Sequence, residues 1–197
     1  MKIFINPGHC VGSDSGAIGF WTTEAEVALK IGTRVEKYLK AVGYETKLFQ
    51  LDGLARIVQE SNDWNADIFV SIHCNAFNGN ASGTETIYYE FSDAGKKLAT
   101  TIQNQIVSTL GTVDRGIKNK IAGGYDAYVV KYTDCPAVLV ETAFIDNLSD
   151  HYLLINKDDD FARAIARGIT DYIAANLVPD VVDTPADKTR GPSSYSI

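Results

Sequence analysis

Ala66–Asp67–Ile68–Phe69–Val70–Ser71–Ile72–His73–Cys74–Asn75 is a short apolar run that ends on a histidine and an asparagine. Its β-branched and aromatic residues predict a strand buried on both faces, as in a parallel sheet. Open α/β sheets keep their chemistry where such strands end. Two other stretches have the same form. Ile3–Phe4–Ile5–Asn6–Pro7–Gly8–His9 breaks at Pro-Gly and delivers a histidine. Val138–Leu139–Val140–Glu141 delivers a carboxylate. If these three strands run the same way in one sheet, His9, His73 and Glu141 meet along one rim.

Outward from that stretch the chain alternates. Further strands are expected at Lys2–Asn6, Glu45–Phe49, Thr84–Tyr89, Tyr128–Lys131 and Ala137–Glu141. A helix is expected from Thr22 or Thr23 to Gly43, with Ala28, Ile31, Val35 and Leu39 at helical spacing. Others are expected from Gly53 to Asp63, from Ser92 to Leu110, after an Asn147 cap, and from Asp159 or Asp160 onward. Residues 112–125 read as a loop carrying Asp114-Arg115-Gly116. Strands alternating with helices predict an α/β domain with a mixed, mostly parallel sheet over residues 1–177. Residues 178–197, rich in Pro, Asp and Ser with no apolar period, read as a tail or linker.

Composition narrows the function. With 197 residues and 45% hydrophobic content, the chain can build an ordinary core. A net charge of −7 argues against nucleic acid as a partner, because phosphate binding needs a basic face. No apolar run approaches the ~20 residues that span a bilayer. The start Met1-Lys2-Ile3-Phe4 enters a strand directly and shows no signal peptide. Three cysteines cannot form a complete disulfide framework. Cys10 and Cys74, each following a histidine, read as packing residues rather than ligands, because successive strand side chains point apart.

Two histidines and carboxylates at strand ends suggest a metal. Imidazole and carboxylate together suit zinc, and three protein ligands leave a fourth position open. His9 and His73 are the candidate imidazoles. Glu24 and Glu26, both in the first turn of the first helix, are the candidate acids, and their spacing sends them to different sides. Glu141 is then the candidate proton carrier. Alone, His73 reads as a satisfied core histidine and His9 as a cap on the Pro-Gly turn. Two at equivalent strand ends, with Glu141 at a third, favour a shared site. His-Glu-x-x-His is absent, and Gly12, Gly16 and Gly19 match no phosphate-binding spacing. His151, after Asp150 in a polar segment, reads as a surface residue.

The same residues resemble a known family. Asn6-Pro7-Gly8-His9, Gly16-Ala17-Ile18-Gly19 and Glu24-x-x-Val27-x-Leu29 resemble the opening of the zinc-dependent N-acetylmuramoyl-L-alanine amidases of the Amidase_3 type. Ala66-Asp67-x-Phe69-x-Ser71-Ile72-His73-x-Asn75-Ala76, Asp114-Arg115-Gly116, and Pro136-Ala137-Val138-Leu139-Val140-Glu141-x-x-Phe144-Ile145-x-Asn147 resemble its later blocks. The resemblance implies one Zn²⁺ held by His9, Glu24 and His73, with Glu24 preferred to Glu26. It implies Glu141 as the catalytic glutamate. It implies cleavage of the amide between N-acetylmuramic acid and the L-alanine of the stem peptide. It also implies a single domain with a twisted six-stranded sheet and helices on both faces. Asn75 and Arg115 are secondary candidates for touching substrate, each weighed against a structural role. The chain is expected to act on the bacterial wall as a monomer, as a phage lysin, a sporulation enzyme or a trimmed form of an exported one. The rival readings are a zinc carboxypeptidase or deacylase, and a peptidoglycan-binding module without catalysis.

Overall fold

A computed structural model describes residues 1–120 and 125–176 of the chain. Strands and helices alternate as β1 (Lys2–Pro7), α1 (Glu24–Ala41), β2 (Glu45–Leu48), α2 (Leu54–Asp63), β3 (Ile68–Asn75) and β4 (Thr84–Tyr89). They continue as α3 (Asp93–Leu110), β5 (Asp114–Lys120), α4 (Tyr125–Tyr132), β6 (Ala137–Phe144), α5 (Leu148–Asn156) and α6 (Asp158–Asn176). The tail expected at 178–197 lies outside the described residues.

The strands form one sheet in the order β2-β1-β3-β6-β4-β5. β1 runs parallel to β2 and β3, β3 runs parallel to β6, and β5 runs parallel to β4. The β4–β6 ladder is antiparallel. The sheet is therefore mixed and mostly parallel. β1, β3 and β6 are direct neighbours in one direction, so their carboxyl ends share a rim.

The apolar runs are continuous because both faces are covered. Ile5, Val70 and Val140 pack on one face against Ile31 of α1, Ile102 of α3 and Ile165 of α6. Phe4, Phe69 and Leu139 face the other way, against Ile57 and Val58 of α2 and Val129 of α4. Each such side chain contributes roughly 1.5–3 kcal/mol relative to exposure.

Two sequence expectations exchange places. Tyr128–Lys131, expected as a strand, lies within α4. Val129 and Val130 are adjacent and both buried, which a strand with one buried face does not allow. A four-residue run with high β propensity does not fix its own period, and packing against α2 decides it. The segment expected as a loop around Asp114 contains β5. That strand lies at the sheet edge, so no apolar alternation is demanded of it. Its register with β4 slips between Thr84 and Thr86, and the resulting bulge at Arg115–Gly116 breaks the pattern further.

His151, expected at the surface, is fully buried. Its Nδ1 donates to the Ile145 carbonyl at 3.1 Å, and the rings of Phe20 and Trp21 cover it. Its neighbour Asp150 is also buried and ties three segments together. One carboxylate oxygen accepts from the Gly83 N–H at 2.8 Å and the Phe144 N–H at 2.9 Å. Asp150→Ala leaves two buried donors without a partner. It is expected to lower the unfolding free energy by roughly 2–4 kcal/mol. Urea unfolding followed by circular dichroism checks this, and an unchanged midpoint would contradict it.

Candidate metal centre

Pro7 closes β1, and the chain turns through Gly8 into His9, which adopts φ +58°. Such a conformation in a non-glycine residue is strained and concentrates at functional sites. The turn leaves no room for side chains. A Cβ on Gly8 would meet the His73 ring at 2.6 Å from Nε2, and one on Gly16 would lie 2.6 Å from a Glu24 oxygen. Gly16 also needs φ +62°.

The start of α1 separates the two glutamates. Thr23 is the N-cap, and its hydroxyl accepts from the Glu26 N–H. The Glu26 carboxylate reaches back to the Thr23 N–H at 2.9 Å and accepts from the Thr22 hydroxyl at 2.8 Å. That capping box occupies Glu26 at the surface. Glu24, two residues earlier, turns to the sheet rim and is 4% exposed. Its oxygens accept from the Ala17 N–H at 2.9 Å and the Cys74 N–H at 3.1 Å.

His9, Glu24 and His73 come together from three different elements, with their donor atoms all within 4.8 Å of one another. Glu24 Oε2 lies 3.0 Å from His9 Nε2, and Oε1 lies 2.9 Å from His73 Nδ1. The far nitrogens are also held. His9 Nδ1 is 2.7 Å from Asp14 Oδ2, and His73 Nε2 is 3.1 Å from the Ser71 hydroxyl. Burial pushes the Glu24 carboxyl up, but the two imidazoles and the Ala17 N–H outweigh it and hold it far below the usual carboxylate range. The hydrogen bond to Glu24 lifts His9 to about 9 against its burial, with Asp14 adding to the lift.

This donor set fits a metal. A buried carboxylate clasped by two imidazole nitrogens is a place for positive charge. A divalent cation can take that place, with two imidazole nitrogens and a carboxylate oxygen as ligands. Asp14 supplies the carboxylate partner that metal-binding histidines use to fix ring and tautomer. Asp14→Ala is expected to weaken affinity for an added divalent cation by about 10–100-fold with the fold intact. A chelator competition titration reads that loss.

Glu141 stands opposite His73 in the parallel β3–β6 ladder and opposite Glu85 across β4. Residues so paired project from the same face of the sheet. Asn75 and Arg115 both converge on Glu85. Asn75 Nδ2 donates to one carboxylate oxygen and Arg115 Nε to the other, each at 3.0 Å. The Arg115 guanidinium also lies over the Phe144 ring at 4.9 Å. Asp14, Ser71 and Glu85 were not singled out from sequence. The short reach from Asp14 to His9, five residues on through a glycine loop, was the one available signal. Cys74 Sγ points into the core beside Thr142 Oγ1 at 3.5 Å, away from the group. A cavity of about 330 Å³ opens beside the group, with His9, Asp14 and His73 on one side and Leu54, Val129 and Leu139 on the other.

The arrangement is of the α/β class that places polar chemistry at the carboxyl rim of parallel strands. Within that class, the family model described as N-acetylmuramoyl-L-alanine amidase (Amidase_3) matches residues 3–171, and the chain belongs to that family. It is 41% identical over 180 residues to the N-acetylmuramoyl-L-alanine amidase LytC of Bacillus subtilis, covering 86% of this chain and 35% of LytC. It is 37% identical to the uncharacterized protein YqiI of the same organism, covering 86% of this chain and 84% of YqiI. It thus spans about a third of LytC and most of YqiI. Among solved structures, the N-acetylmuramoyl-L-alanine amidase AmiC2 of Nostoc punctiforme superposes with a TM-score of 0.80 at 32% identity, covering 88% of this chain and 97% of that one.

Proposed function

We propose that the chain hydrolyses the amide between N-acetylmuramic acid and L-alanine in bacterial peptidoglycan. In this reading His9 Nε2, one Glu24 oxygen and His73 Nδ1 hold a single zinc ion. The observation that carries it is the buried Glu24 carboxylate clasped between two imidazoles from different elements. Family membership supports the reading.

A bound zinc ion supplies Lewis acidity, which lowers the pKa of water to about 7 and polarises the carbonyl. Glu141 takes the proton of the attacking water at its carboxylate. It then hands that proton to the L-alanine nitrogen as the C–N bond breaks. The products are the lactyl carboxylate on the sugar and a free L-alanine amino terminus. Asp14 and Ser71 fix the histidine rings from behind. Glu85 holds Asn75 and Arg115 together next to Glu141, where both can meet the substrate. No helix among the described residues is long and apolar enough to cross a membrane. The wall is the site of action in this reading, and one chain suffices for the metal group.

Metal analysis of the purified chain and mass spectrometry of digested sacculi test this together. Stoichiometric zinc with free L-alanine termini on intact glycan is the expected result. Cleavage elsewhere in the stem would assign a carboxypeptidase. Binding to sacculi with no released termini would assign a non-catalytic module.

A further inference from the structure

Large apolar side chains stand in water on the loops that adjoin the candidate ligands in the chain. Trp21 is 77% exposed and Phe77 78%, with Ile18 and Phe20 also exposed. They sit on the two loops adjoining the candidate ligands: Trp21 precedes Glu24 by three residues, and Phe77 follows His73 by four. Both loops are held from beneath. Ile18 and Thr23 form a bridge, and the Gly19 N–H donates to the Thr22 carbonyl at 2.9 Å. Phe20 and Trp21 rest edge-on against buried His151, at 5.3 and 5.2 Å between ring centroids. The N–H groups of Phe77 and Gly79 both donate to Asp146 Oδ2, at 3.0 and 2.8 Å. Asp146, Ile18, Gly19 and Phe20 line a pocket of about 180 Å³. Apolar surface fixed outward on a built base, next to a polar site, marks an interaction surface.

We propose that this platform binds the glycan strand of peptidoglycan, with the C–H face of a sugar beyond the muramic acid that bears the scissile amide packed on Trp21 and Phe20. The proposal rests on the amidase reading above. Charge favours a neutral occupant. Residues 15–26, 74–85 and 145–152 contain no lysine or arginine but carry Glu24, Glu26, Glu85, Asp146 and Asp150, and Arg115 at this rim is already paired with Glu85. An anionic wall polymer finds no counter-charge there, whereas a neutral sugar needs none. Geometry agrees. The scissile amide joins a sugar to a peptide, so substrate extends to both sides of the metal group. The 330 Å³ cavity lies on the α2 and α4 flank. The platform lies on the other flank, against Ile145 and α5, which leaves the sugar side to it.

Two measurements test the platform. Neutral N-acetylglucosamine oligomers, which present the sugar faces of the glycan strand without its lactyl carboxylates, are titrated against the intact chain while tryptophan emission is followed. Wild type is expected to shift, and Trp21→Ala to lose the shift while Trp64 still emits. Turnover is then compared on polymeric glycan bearing stem peptides and on a single N-acetylmuramoyl-peptide. Trp21→Ala is expected to raise KM about ten-fold on the polymer and under about two-fold on the small substrate, the scale of one aromatic contact. Trp21→Phe is expected to restore most of the loss. Equal loss on both substrates, no loss on the polymer, or an emission shift with soluble polyphosphate in place of glycan would each overturn the proposal. If wild type releases no L-alanine termini from either substrate, the amidase reading falls instead, and the sugar titration still reads the platform.

Discussion

Glu141→Ala is expected to retain stoichiometric zinc and to lose wall lysis by about 10²–10⁴-fold, the usual contribution of a positioned acid–base group. Glu141 comes from β6, while the three proposed metal ligands come from the loop after β1, the first turn of α1, and β3. The alanine variant therefore leaves every ligand and its backing partner untouched. Zinc content by mass spectrometry and turbidity loss of sacculi separate the two readouts. Lysis at the wild-type rate would remove Glu141 from its role. Loss of zinc would show that it serves the metal instead.

His73→Ala is expected to lose metal and activity together. Its ring supplies one of two imidazoles facing Glu24, and Nδ1 is the nearer of the two at 2.9 Å. Without it the buried carboxylate keeps His9 as its sole imidazole partner. Two protein ligands do not make a zinc site of the tetrahedral kind. Zinc content of the purified variant is expected to fall below about a tenth of wild type, a larger loss than a backing-partner change gives. A folded, zinc-loaded His73→Ala protein would refute the ligand assignment. Circular dichroism guards against misfolding, since β3 is the centre of the core.

Much of this geometry was legible in the chain. The apolar runs ending at Asn6, at His73 and at Glu141 each named a buried strand, and parallel packing forces such ends onto one rim. The choice between Glu24 and Glu26 was not legible from periodicity. It depends on the capping box, which draws Glu26 back over Thr23 and leaves Glu24 to turn inward. The likeness of Glu24-x-x-Val27-x-Leu29 to a family block supplied what spacing lacked. Tyr128–Lys131 misled because its residues suit either element and only contact with α2 decides. β5 was hidden because an edge strand with a bulge needs no apolar rhythm. His151 was hidden because its burial depends on two aromatic rings about 130 residues away in sequence, which no local pattern records.

The antiparallel step between β6 and β4 has a consequence for how the family's specificity can change. In an all-parallel sheet, every strand would bring its carboxyl end to the active rim and its amino end to the far side. Here the sheet reverses beside Glu141, so Glu85 and Arg115, near the beginnings of β4 and β5, arrive at the same rim as the endings of β1 and β3. The connection from Asn75 to Thr84 then runs along that rim without crossing the sheet. Its length and composition can vary while both flanking strands stay anchored. In the proposed reading, substrate recognition can diversify in this one span while the proposed ligand set stays constant.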